Sequence, residues 1–67
     1  MNNIINESEL QDDIAKGLMY YGRMTEKRAK ELAWLNVTFV AEEMYEAQDA
    51  VVRDIAEKEL QRKKGLL

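Results

Sequence analysis

Between Thr25 and Lys64 the chain runs about forty residues without a proline or a glycine. Such a stretch, at ~1.5 Å per residue, predicts a helix roughly 60 Å long. The only other helical segment, Glu7 to Tyr21, covers about 20 Å of it, so the remaining apolar surface predicts a second chain. The expected fold class is therefore all-α. A short first helix (about 7–21) and a long second helix (about 26–63) form a hairpin that assembles into an intermolecular helical bundle, with 1–67 as a single domain and flexible ends at 1–6 and 65–67.

Size points the same way. A chain of 67 residues supports a single core of only ~3–5 kcal/mol and needs reinforcement. With no cysteine and no histidine, neither a disulfide nor an ordinary zinc site supplies it, which leaves oligomerisation. The same absences predict no cofactor, no metal and no catalytic residue, because nucleophilic and acid-base work would fall to carboxylates, lysines, tyrosines and hydroxyls alone. Met1 to Asn6 has neither the charge nor the apolar run of a signal peptide, and no stretch approaches the ~20 apolar residues of a membrane span. A soluble, cytoplasmic protein with no membrane partner is the expectation.

Local signals mark the helix ends. Asn6 or Ser8 suits the cap of the first helix, and Leu10, Ile14, Leu18 and Tyr21 fall on one face of it. Gly17 inside that helix marks close approach of a neighbour, and Gly22 is placed to end it in the left-handed conformation. Thr25 is a natural N-cap for the second helix, and Arg62, Lys63 and Lys64 favour the negative end of its dipole. Asn36-Val37-Thr38-Phe39-Val40 is rich in strand-preferring residues. A lone strand has nothing to pair with here, so helix is preferred through it.

On a helical wheel Ala29, Ala33, Val37, Val40, Met44, Ala47, Val51 and Ile55 form one near-heptad stripe, with Trp34, Ala41, Tyr45, Val52 and Ala56 beside it. Leu32, Leu35 and Phe39 add a third face, so the segment from Leu32 to Ala41 is apolar nearly all round and reads as interior. Trp34, Val37, Val40, Met44, Ala47, Val51 and Ile55 are accordingly the candidate self-association residues, making a homodimer or higher oligomer.

Thirteen acids against ten bases give a net charge of −3, which excludes general attraction to nucleic acid. The charges come in blocks: Arg23, Lys27, Arg28 and Lys30 cluster at the start of the second helix, and Glu42, Glu43, Glu46 and Asp49 occupy its middle. Such blocks suit antiparallel pairing of like chains. The basic cluster is a candidate phosphate contact for a small DNA-binding regulator, although Glu26 and Glu31 interrupt it. The acidic band is the candidate surface for a basic protein partner, and on a continuous helix Glu42, Glu46 and Asp49 share a face that suits a hard cation. Glu42, Glu43 and Glu46 resemble the EExxE signature of the MazG-type all-α nucleotide pyrophosphatases, with Asp49 standing in for a later acid. That resemblance covers eight residues and implies a magnesium-dependent nucleotide pyrophosphatase-like activity, but the family draws its further acids from another helix and its chains are longer. The leading expectation is a non-enzymatic helical oligomer acting by protein-protein interaction, as a small regulator or phage-type inhibitor does, with a purely structural oligomer next.

Overall fold

Leu10, Ile14 and Leu18 recur every four residues, and this is the face that α1 (Glu7–Gly22) turns inward in the computed structural model, which describes residues 7–65. Ile14 and Leu18 are almost fully buried. Asn6 and the expected flexible segment 1–6, like residues 66 and 67, lie outside the described residues. Two further helices follow, α2 (Glu26–Ala41) and α3 (Tyr45–Lys63), so the all-α class holds, with no strand among the described residues.

The single long helix expected over 26–63 is divided. Glu42 to Met44 leave the helical path, and Met44 takes an extended conformation (φ −63°, ψ 150°) to start α3. Like charges lower the cost of the break. On an unbroken helix Glu42, Glu43, Glu46 and Asp49 stand three and four residues apart and repel, whereas the break puts Glu46 in the first turn of a new helix, where the dipole favours it. The exposed peptide groups are satisfied locally: Gln48 Nε2 donates to the carbonyls of Val40 (3.2 Å) and Glu43 (3.3 Å). The strand-preferring segment Asn36 to Val40 stays helical, with Asn36 Nδ2 donating to the Leu32 carbonyl at 2.8 Å.

Chain reversal at the break lets α3 return along α1. A Cβ placed on Gly17 would stand 2.8 Å from Val52 Cγ1, and one on Gly22 3.2 Å from Ala56 Cβ. The matching order of these contacts makes α3 run in the direction of α1, with α2 antiparallel to both. Helix α1 packs extensively on α2 and α3, while α2 and α3 touch each other little. The core is correspondingly small-grained. Ala15, Ala29, Ala33 and Ala56 are buried with Ile14, Leu18, Met24, Val37, Val40 and Val52.

This packing revises the expected apolar seam. Ala29, Ala33, Val37 and Val40 do form one buried line, but against α1 of the same chain. Beyond the break the innermost series is Val52, Ala56 and Glu59, while Val51 and Ile55 only flank the core. The three-residue break shifts the helical phase, and the wheel continued through it as though nothing intervened.

Thr25 caps α2 as its position predicts, its Oγ1 accepting from Arg28 N at 3.2 Å. The left-handed residue closing α1 is Arg23 (φ 53°), not Gly22, which is helical and buried against Ala56. An arginine there carries the steric cost of the left-handed region that glycine escapes.

Two substitutions test this packing. Gly17→Leu drives a side chain into Val52 and should destabilise by roughly 1–3 kcal/mol in urea unfolding. Arg23→Gly should stabilise the fold by about 0.5–1 kcal/mol, read as a higher melting temperature.

Candidate functional site

A chain with so few large apolar residues would be expected to bury them, yet its only tryptophan and only phenylalanine are on the surface. Trp34 is 66% exposed, Leu35 66% and Phe39 53%, while four alanines occupy the interior. The cause is the phase of α2. Its inward line of Ala29, Ala33, Val37 and Val40 fits small residues against α1, which turns positions 31, 34, 35 and 38 outward. Trp34 and Leu35 border a shallow apolar depression with Lys27, Arg28, Lys30 and Glu31. Phe39 stands at the edge of the open groove between α2 and α3, whose floor includes Leu32, Asn36, Val51 and Ile55.

Charges bound this stripe at both ends. Lys27 and Glu42 are exposed, and neither side chain has a hydrogen-bonding or ion-pair partner among the described residues. Other charges of α2 are engaged: Lys30 Nζ lies 3.1 Å from Glu26 Oε2, and Arg28 is held by Glu31 and Glu59. Of the basic cluster considered for DNA, therefore, Arg28 and Lys30 already have acidic partners, and Arg23 and Lys27 remain exposed without one. The opening turns of α3 carry Glu46 and Asp49, which repel phosphate where a recognition helix would approach it.

The acidic band is split in the same way. Glu42 follows the last turn of α2, Glu43 is half-buried in the loop, and Glu46 and Asp49 belong to α3. Asp49 is taken up by α1: the Tyr21 hydroxyl donates to its carboxylate at 3.1 and 3.3 Å, and the Arg53 guanidinium sits over the Tyr21 ring, 5.4 Å from its centre. That bond, with burial and the nearby carboxylate charge, raises the Tyr21 pKa above its ordinary value. Among the described residues no group of three or more Asp or Glu side chains converges to hold a metal ion. The shared face that the pyrophosphatase resemblance relies on requires the helix to continue past Ala41.

The expected self-association residues also part company. Val37 and Val40 are consumed by the intrachain core, Ala47, Val51 and Ile55 are half-buried, and Trp34 and Met44 (73% exposed) face outward. Leu35 and Phe39, read from sequence as interior, join Trp34 at the surface.

Among the described residues one charged side chain is buried, and it ties α2 to α3. Glu59, 5% exposed, lies in the buried series of α3 and receives two guanidinium forks, Arg28 at 2.9 and 3.2 Å and Arg62 at 3.1 and 2.9 Å. Its carboxylate is thus fully satisfied, and Arg28 of α2 is tied to the far end of α3. Sequence reasoning passed over it. The available signal was a carboxylate in phase with Val52 and Ala56, with an arginine three residues on.

No family model, curated protein or solved structure matches this chain. Among the described residues no helix is long and apolar enough to cross a membrane.

The Glu59 cluster gives a pH signature. Arg28 foremost, then Arg62, lowers its carboxyl from 4.5 to about 2, so the folded state binds the proton less tightly than the unfolded chain. The stability it supplies is complete above pH 4.5 and is lost as pH falls toward 2. The melting temperature should fall across that window, and Glu59→Gln should lower it at neutral pH while flattening its acid dependence.

Proposed function

We propose that this chain is a small non-enzymatic interaction protein whose working surface is the outer face of α2, with Trp34, Leu35 and Phe39 as its apolar centre. The observation that carries the reading is that the chain's tryptophan and phenylalanine stand on the surface, outside a core of alanine and medium-sized aliphatic side chains. Leaving Trp34 and Phe39 in water forgoes burial at ~25 cal/mol per Å², a loss that a docking partner recovers. Tryptophan supplies a hot-spot anchor, and the helical scaffold holds it with little conformational cost on binding.

The geometry favours a partner helix. The stripe follows the axis of α2, and the neighbouring α2–α3 groove offers Leu32, Val51 and Ile55 to an apolar edge. Such docking would make an intermolecular bundle through the outer face of α2, since Ala29, Ala33, Val37 and Val40 of the seam are buried against α1. Glu42, Glu43 and Glu46 lie beyond one end of the stripe and select basic groups on what approaches there. A protein of this design acts by occupancy, as a regulator or inhibitor that covers a partner's surface or as a subunit of an assembly.

A photo-crosslinking residue placed at position 35 in the producing cells tests the reading. Covalent adducts to protein, whether to itself or to another chain, are expected there, and none from exposed position 57 on α3. A chain that stays unlinked from position 35 removes the α2 face as the working surface.

A further inference from the structure

The charges at the two ends of the α2 stripe identify the occupant. Lys27 lies in the first turn of α2, at the positive end of its dipole, and Glu42 at the negative end. Each is set against the dipole of its own helix, and neither has a partner among the described residues. A partner helix that reverses this arrangement, with acid opposite Lys27 and base opposite Glu42, relieves both. Helix α2 itself, turned end for end, is such a helix.

The spacing is symmetric. Fifteen positions separate Lys27 from Glu42, about 22 Å along the axis, and their midpoint falls between Trp34 and Leu35. We infer that α2 pairs with α2 of a second copy, antiparallel about a two-fold axis at Trp34/Leu35, so that Lys27 of each chain meets Glu42 of the other. In this register Trp34 lies across from the partner's Leu35, and Glu31 across from the partner's Thr38. At the ends of the contact Glu26 falls level with the partner's Glu43, which is half-buried in the loop after α2. An isologous contact of this kind closes on itself and leaves no unmatched patch to propagate.

The surface available is of the right order. Trp34 and Leu35, both 66% exposed, offer on the order of 300 Å² per chain, or about 600 Å² across two copies. Adding the rim of Lys27, Glu31, Thr38 and Glu42 brings the total to about the 1,000 Å² that a specific but weak interface requires. An interface of this size is in the range of reversible, transient association.

This inference rests on the α2 face being a binding surface, and charge exchange separates its failure from failure of that reading. Sedimentation velocity over a concentration series should show a monomer–dimer equilibrium for the native chain. Trp34→Ala, with helicity checked by circular dichroism, should abolish it. Lys27→Glu alone and Glu42→Lys alone each set like charges against each other at both ends and should weaken dimerisation by about tenfold or more. An equimolar mixture of those two variants, or one chain carrying both changes, should restore association to within about threefold of native. A native dimer without that rescue overturns the antiparallel register. A native chain that stays monomeric at several hundred micromolar overturns the second copy as occupant, and crosslinking from position 35 to a different protein then leaves the α2 surface itself standing.

Discussion

Close approach of α3 to α1 is the contact on which the architecture depends. Gly17 and Gly22 on one helix face Val52 and Ala56 on the other at distances that leave no space for larger groups. With the axes this near, α3 occupies the side of α1 that an intermolecular partner would otherwise cover, and α2 takes the opposite antiparallel position. The chain thereby hides Ile14, Leu18 and Val40 by itself. Glycines inside a helix cost ~1 kcal/mol each relative to alanine, a cost offset by the burial that close packing permits.

The same tight packing determines what stays outside. A core built on alanine has no room for an indole or a phenyl ring, so α2 presents small residues to α1 and large ones to solvent. Stability and surface chemistry are in this way two faces of one helix. Its inner line is fixed by the needs of α1, and its outer line is free to serve binding. Because α2 and α3 touch little, the groove beside Phe39 remains open next to the exposed stripe, and polar bonds between those helices run from Arg28 to Glu59 at one end and from Gln48 to the Val40 carbonyl at the other.

Local chemistry was the most legible part of the sequence. The Thr25 cap and the inward face of α1 follow from neighbours within four residues, Gly17 signals a close neighbour, and the structure contains each of them. The break at Glu42 to Met44 was not legible, because it carries no proline or glycine. It reflects a balance between like-charge repulsion along one helix and burial gained by folding back, and the second term exists only in three dimensions. Once missed, that break displaced everything beyond it: Val51 and Ile55 were read as the seam when Val52 and Ala56 fill it. For the exposed apolar face, the wheel shows Leu32 to Ala41 as apolar nearly all round but cannot say which side α1 takes. The sequence marks Trp34 for self-association and Leu35 and Phe39 for the interior, whereas all three are exposed.

The uneven lengths of the helices leave α3 overhanging. Helix α1 ends at Gly22, opposite Ala56, so the seven residues from Glu57 to Lys63 extend past the last support that α1 offers. Glu59 is where this overhang is fastened, through Arg28, to the opening turn of α2. The terminal turns of α3 therefore behave as a latch. Without the Glu59 carboxylate that corner loses its two charged bonds to Arg28.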